Sequence, residues 1–183
     1  MTETNKSISD FEELKLRSLK EDATPYGELW KPWHDLADAQ DEPAKEFFIE
    51  RLRDPRSRWR EHCLSFIGFH YELEDNVLEM IRGMLINDVD SGVRIAAAGV
   101  LASQGQFPEK TLLHTLVHDP DRFVRECAFS DLLKLAGVPY MAVRKAVLRI
   151  RAKEITASLW QLKRILSKHK LFDKLALLNE VKN

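Results

Sequence analysis

The chain has 183 residues, of which 44% are hydrophobic and 31% charged, and its net charge is −1. A chain of this length buries about 70% of its unfolded surface, so it fits a single domain. Its seven glycines and seven prolines are few, which favours long helices over a fold of strands and turns. The two cysteines, Cys63 and Cys127, are too few for a disulfide framework, and we expect both to be reduced thiols.

The N-terminal segment, MTETNKSISD, is polar and lacks the apolar region of a signal peptide. We predict that residues 1–10 are a disordered tail and that residues 11–183 form one domain. The longest purely apolar stretch runs from Ile95 to Ala102, which is far shorter than the ~20 residues a membrane span needs. We therefore expect a cytoplasmic protein.

Three segments in the middle of the chain are similar to one another. They are DPRSRWREHCLSFIGF from Asp54, DVDSGVRIAAAGVLASQG from Asp88 and DPDRFVRECAFSDLLKLAG from Asp119. In each, an arginine follows the aspartate by six residues and a large apolar residue precedes that arginine. The intervals between the segments are 34 and 31 residues for both the aspartate and the arginine. Agreement at several offsets indicates an internal repeat.

Each repeat continues into a second predicted helix. Gly105 with Pro108, and Gly137 with Pro139, have the order expected for a helix end followed by a helix start. The segments PEKTLLHTLVHD and PYMAVRKAVLRIRA then have apolar residues at i, i+3, i+4 and i+7. One unit is therefore a helix, a short turn and a second helix, and an aspartate-containing turn leads into the next unit.

This pattern resembles the HEAT-repeat family of α-solenoids over roughly residues 43–153. The resemblance implies an all-α solenoid of stacked antiparallel helix pairs. Residues 11–42 and 154–183 lack the repeat signature and would be atypical helices that cap the two ends. The resemblance also implies a ladder in which the arginine of one unit binds the turn aspartate of its neighbour. The ladder residues are Asp54, Arg60, Asp88, Arg94, Asp119 and Arg125.

In such stacks the second helices line a concave face, which we predict to be the partner-binding surface. Alignment of these helices gives an outward stripe of Glu46, Glu50, Glu79, Met80, Thr111, His114, His118, Lys145 and Arg149. The stripe runs from acidic to basic, which suits an extended partner of matching polarity. From Arg144 to Asn183 the chain has 11 Lys/Arg and three acids. Lys168 and Lys170 are assigned to the C-terminal cap, beyond this stripe.

The sequence contains no recognisable catalytic motif. It has neither a glycine-rich phosphate loop nor a nucleophile elbow. His114 and His118 have the spacing of metal ligands, but the only third candidate is Asp119, which has a role in the turn. We therefore expect no metal site and no cofactor. Deoxyhypusine hydroxylases are HEAT-like enzymes with His-Glu pairs, whereas none of the six histidines here is followed by glutamate.

Two functions remain open. We favour a non-enzymatic monomer that binds another protein on its concave face, as an adaptor, an inhibitor or an immunity-type protein does. The alternative is a nucleic-acid-binding protein related to the HEAT-like alkylpurine DNA glycosylases, which hold DNA in a basic concave face. The basic C-terminal third is compatible with this alternative, but the acidic remainder of the chain would repel phosphates.

Overall fold

The structure, a computed structural model, describes residues 3–104 and 109–171. Over these residues the chain forms ten α-helices and one short 3-10 turn, without any strand. The prediction of an all-α fold is thereby confirmed. None of the helices in the described part of the chain combines the length and the apolar character that a bilayer crossing requires.

The chain divides into two compact units. Unit 1, Met1–Glu72, contains α1 (Glu3–Leu19), the 3-10 turn (Gly27–Leu29), α2 (Trp30–Asp38), α3 (Glu42–Arg51) and α4 (Ser57–His70). Unit 2, Leu73–Asn183, contains α5 (Asp75–Asn87), α6 (Ser91–Ser103), α7 (Glu109–His118), α8 (Arg122–Leu135), α9 (Tyr140–Arg151) and α10 (Leu159–Lys168). The sequence predicted one domain over residues 11–183, with repeats over residues 43–153, and the division between the two units falls after Glu72, within those repeats. Helix α1 begins at Glu3, inside the segment predicted to be a disordered tail.

Aromatic side chains form the core of unit 1. Trp33 stacks on Phe47 with a centroid separation of 4.6 Å, and Phe48 stacks on Phe66 at 4.8 Å. Trp33 is fully buried, and its Nε1 donates a hydrogen bond of 2.9 Å to Oγ of Ser18. The polar atom of this buried indole is therefore satisfied, which removes the cost of taking it out of water.

The three aspartate turns share one pattern of hydrogen bonds. Nη1 of the arginine donates to the backbone carbonyl of the turn aspartate, at 2.8 Å for Arg60, 2.8 Å for Arg94 and 2.6 Å for Arg125. The carboxylate of each turn aspartate accepts a bond from the backbone N–H two residues later, at 2.8, 2.9 and 2.8 Å. Because the arginine is always six residues after the aspartate, its side chain closes each turn and binds peptide oxygens that precede the helix.

The helices of unit 2 pack in a regular order. Helix α5 packs on α6 and α7 packs on α8, while α6 also contacts α8 and α5 contacts α7. Val93 and Val124, which precede the repeat arginines, are buried, and Ala97 and Ala128 one turn later are fully buried. Helix α9 packs on α8, and α10 contacts α7 and α8. Small side chains at the repeated positions let the helices α6 and α8 approach closely.

An arginine–aspartate pair connects neighbouring repeats within unit 2. Arg94 donates from Nε to Oδ2 of Asp119 at 2.8 Å and from Nη2 to Oδ1 at 2.9 Å. The side chains are only 7% and 5% exposed, so this bidentate pair is shielded from water. The hydrogen bond to Asp119 raises the pKa of Arg94 above its usual value. Arg125 has no carboxylate partner within the described residues and binds the carbonyls of Asp119 and Pro120.

Candidate functional site

The residues predicted for the binding stripe lie on four helices. Glu46 and Glu50 are on α3 of unit 1, and the others are on α5, α7 and α9 of unit 2. Their side chains are exposed, apart from Met80 and Thr111, which are partly buried. Glu79 forms an ion pair of 3.0 Å with Arg82. The two most basic members of the stripe, Lys145 and Arg149, line a groove.

This groove lies between α9 and α10 and has a volume of about 240 Å³. Lys145 and Arg149 are one helical turn apart on α9, so both side chains lie on the same face of the helix. Arg164 and Lys168 have the same spacing on α10 and form the opposite wall. The remaining lining includes apolar groups from Ala142, Ala146, Ile155 and Ile165. Two pairs of cations therefore surround an apolar floor.

Two local features place the helices that form the groove. Helix α9 is followed by Lys153 at a positive φ of 59°, where the backbone N–H of Glu154 donates to the carbonyl of Arg149 at 2.9 Å. Helix α10 begins after Ser158, whose Oγ accepts the N–H of Gln161 at 3.3 Å. The left-handed residue reverses the chain and the serine starts the next helix, so residues 154–157 connect the two helices that line the groove.

The cations of the groove differ in their partners. Nε of Arg149 pairs with Oε2 of Glu154 at 2.9 Å, and both side chains are about half exposed. Within residues 3–104 and 109–171, no ion pair is formed by Lys145, Arg164 or Lys168. Arg164 lies 5.4 Å from the ring centroid of Trp160. A cleft lined by charges of one sign concentrates the opposite charge, so this groove attracts anionic groups.

Lys168 was predicted to lie in the C-terminal cap, beyond the stripe. It lies at the end of α10, and it lines the same groove as Lys145 and Arg149 of the stripe. Arg164 was not singled out at all. The apolar spacing of α10, which buries Leu162 and Leu166, leaves Arg164 and Lys168 on the opposite side of the helix, and this signal was available in the sequence.

The histidine pair on α7 and the two cysteines have surroundings that do not favour a reactive or metal-binding site. The rings of His114 and His118 lie 4.7 Å apart, but the carboxylate of Asp119 is held by Arg94 and by the N–H of Asp121. Burial raises the pKa values of the Cys63 and Cys127 thiols, which keeps both protonated and weakly nucleophilic at neutral pH. A different group of potential metal ligands, His34, Asp38 and His70, comes together in unit 1.

No family model matches this chain, and no curated protein and no solved structure is significantly similar to it.

Proposed function

We propose that the protein is a non-enzymatic binding module of HEAT-like repeats that holds an acidic, extended segment of a partner protein in the groove between α9 and α10. The observation that carries this proposal is the convergence of Lys145, Arg149, Arg164 and Lys168 on one cavity. Arg149 is paired with Glu154, whereas Lys145, Arg164 and Lys168 form no ion pair among the described residues, so carboxylates of a partner would balance these positive charges. The proposed binding surface keeps the basic residues of the predicted stripe, Lys145 and Arg149, and adds Arg164 and Lys168.

The HEAT-like character of the proposal is supported by repeated local structure. In each repeat the equivalent arginine closes the aspartate turn, at Asp54, Asp88 and Asp119. In unit 2, first helices contact first helices (α6 and α8) and second helices contact second helices (α5 and α7). Contacts of this kind are those of an α-solenoid, in which each unit is stabilised mainly by its neighbours.

The composition of the groove favours a peptide as its occupant. Alanine and isoleucine side chains form its floor, so a partner can bury apolar groups there while its carboxylates reach the cations of the rim. The mixture of an apolar centre and a charged edge is that of a protein–protein interface. Both walls of the groove belong to helices that contact α8, so a partner binds to an ordered surface, which lowers the ordering cost of binding.

The test uses a fluorescein-labelled peptide of alternating glutamate and leucine, with a lysine–leucine peptide of equal length as the reference. Charge reversal at Lys145 and Arg149 together should weaken binding of the acidic peptide by at least about tenfold, because attraction becomes repulsion. The matched control reverses Lys110 and Lys134, which are exposed on α7 and α8 and do not line the groove. Equal losses in the two variants would show that only the overall charge matters, and the groove proposal would then be wrong.

A nucleic acid is the second candidate because of Trp160. This side chain is 65% exposed on α10, next to Lys163 and Arg164. An exposed indole among cations is a platform on which unpaired bases stack. If the ligand is single-stranded DNA, Trp160→Ala and added salt should both weaken its binding, and DNA should bind more tightly than the acidic peptide. If the ligand is the peptide, Trp160→Ala should leave its affinity unchanged.

A further inference from the structure

Three side chains of unit 1 form a compact group at the ends of two helices. Nδ1 of His34 lies 2.9 Å from Oδ2 of Asp38, one turn later on α2. Nδ1 of His70, the last residue of α4, lies 3.1 Å from Oδ1 of the same carboxylate. One donor atom from each residue lies within 4.8 Å of the other two. Two imidazoles thus share one carboxylate.

The backbone around this group is fixed by two hydrogen bonds. The hydroxyl of Tyr71 donates to the carbonyl of Asp41 at 3.0 Å, and Nε2 of Gln40 donates to the carbonyl of His70 at 2.9 Å. Tyr71 is buried, so the hydrogen bond from its hydroxyl satisfies a polar atom that water does not reach easily. These bonds tie the end of α4 to the segment that follows α2. The three side chains therefore start from a scaffold that is already ordered.

The electrostatics of the location favour a cation. Asp38 is the last residue of α2 and His70 is the last residue of α4. The carbonyl ends of helices carry a partial negative charge, and the carboxylate of Asp38 adds a full one. Lys31 is a cation on the same helix, but it pairs with Asp35 at 2.7 Å, so its charge is balanced there and not by Asp38.

We propose that His34, Asp38 and His70 bind a divalent transition-metal ion such as Zn²⁺. Two donors that each lie ~2.0–2.1 Å from a tetrahedral ion are separated by ~3.4 Å. The two imidazole–carboxylate contacts, at 2.9 and 3.1 Å, are already close to this separation. The donor atoms of the group all lie within 4.8 Å of one another, so the side chains need to move by at most ~1.4 Å to surround the ion. Two nitrogen donors and one carboxylate suit Zn²⁺, Co²⁺, Ni²⁺ or Cu²⁺ better than Ca²⁺ or Mg²⁺, which prefer oxygen. On binding, the metal replaces the hydrogen bonds to Asp38, and each neutral imidazole carries its proton on Nε2. Water completes the coordination.

The site is independent of the peptide groove, because its ligands all belong to unit 1. The exposed pair of His114 and His118 on α7 supplies an internal control. This pair has the helical spacing of metal ligands, but Asp119 is bound to Arg94 and gives no third donor. The site with three ligands should therefore bind Zn²⁺ more tightly than the pair with two.

The experiment titrates the EDTA-treated full chain with Zn²⁺ by isothermal calorimetry and with Co²⁺ by visible absorption. We expect one ion per chain, with the ligand-field bands of low-coordinate Co²⁺. Asp38→Asn and His70→Gln should each weaken binding by at least about tenfold, comparable to or above the effect of removing an outer-shell partner. The double variant His114→Gln with His118→Gln should bind as the unaltered chain does.

A second measurement needs no variant and so does not depend on the folding of any substitution. In long-range ¹H–¹⁵N spectra, Zn²⁺ should shift the Nδ1 resonances of His34 and His70 and leave those of His114 and His118 in place. The proposal is overturned by an absence of binding up to millimolar Zn²⁺. It is equally overturned if the loss of His114 and His118 abolishes binding, or if shifts occur at that pair alone.

Discussion

Arg94 and Arg125 occupy equivalent places in their repeats, but they have different partners. Both close an aspartate turn through backbone carbonyls. Arg94 also makes two bonds to the buried carboxylate of Asp119, and Arg125 is only half-buried and has no carboxylate partner in the described part of the chain. The difference follows from the order of the repeats, because the aspartate turn at Asp119 comes after Arg94, whereas no further aspartate turn of this kind follows Arg125 in the sequence.

We predict that Arg94→Ala destabilises the protein by ~3–5 kcal/mol, because it leaves the carboxylate of Asp119 buried without its cation. Arg125→Ala should cost only ~0.5–1.5 kcal/mol, since water can reach the carbonyls that it exposes. Urea unfolding followed by circular dichroism measures both values. If the two variants unfold at the same urea concentration, the buried pair contributes no more than a turn hydrogen bond does.

Contacts between residues that are close in the sequence can be predicted from their spacing, whereas contacts between distant residues cannot. The arginine that closes each turn is six residues from its aspartate, so this contact is local. The predicted contact of an arginine with the turn aspartate of the next unit is present between Arg94 and Asp119, whereas Arg125 has no carboxylate partner among the described residues. By contrast, Lys168 meets Lys145 from another helix, and His70 meets His34 after 36 residues. No spacing rule connects such residues, because their approach depends on how the helices pack. The sequence therefore located the aspartate turns but did not predict which side chains of different helices come together.

At the scale of helices, several C-terminal ends have the same geometry. Helices α2, α8, α9 and α10 are each followed by a residue with positive φ: Gln40 at 54°, Gly137 at 79°, Lys153 at 59° and Lys170 at 57°. In each case the next backbone N–H bonds back to a carbonyl five residues earlier, which is the Schellman arrangement. Gly137 could be recognised as a helix end from the sequence. The other three could not, because glutamine and lysine are unusual at such positions.

This geometry predicts opposite effects for two substitutions. Gly137→Ala should destabilise the protein by ~1–2 kcal/mol, because a Cβ disfavours the left-handed conformation. No neighbouring atom lies within 4 Å of the added Cβ, so collision does not contribute. Lys153→Gly relieves the same strain at the end of α9 and should be neutral or stabilise the protein by up to ~1 kcal/mol. Thermal unfolding measures both, and destabilisation by Lys153→Gly would mean that the lysine side chain supports the turn.

At the scale of the whole molecule, charge is divided between the two units. Residues 1–72 contain 11 Lys/Arg and 16 Asp/Glu, whereas residues 73–183 contain 17 Lys/Arg and 13 Asp/Glu. The net charges are therefore −5 and +4. The proposed metal site lies in the acidic unit, and the groove proposed for an acidic partner lies in the basic unit. In each case the charge of the unit attracts the ligand that its site would bind, which raises the rate of encounter.

The division also predicts how a fragment should behave. Every residue that lines the groove belongs to unit 2, as do the Arg94–Asp119 pair and the packed helices α5–α8. The first residue of this unit also has its hydrogen-bond partner within the unit, since the N–H of Leu73 donates to Oε1 of Gln104 at 3.3 Å. We predict that residues 73–183 expressed alone are helical, unfold cooperatively and bind the acidic peptide within about twofold of the affinity of the full chain, because the binding contacts are unchanged.

The matched control is the same fragment with charge reversal at Lys145 and Arg149, which should lose binding while it keeps its helical circular dichroism. The low-salt affinity of the unaltered fragment should fall as salt is added, because the groove acts mainly through charge. A fragment that folds and fails to bind would show that residues 1–72 contribute to recognition. A fragment that does not fold would show that unit 2 depends on the preceding helices for its stability, as an inner segment of an α-solenoid does.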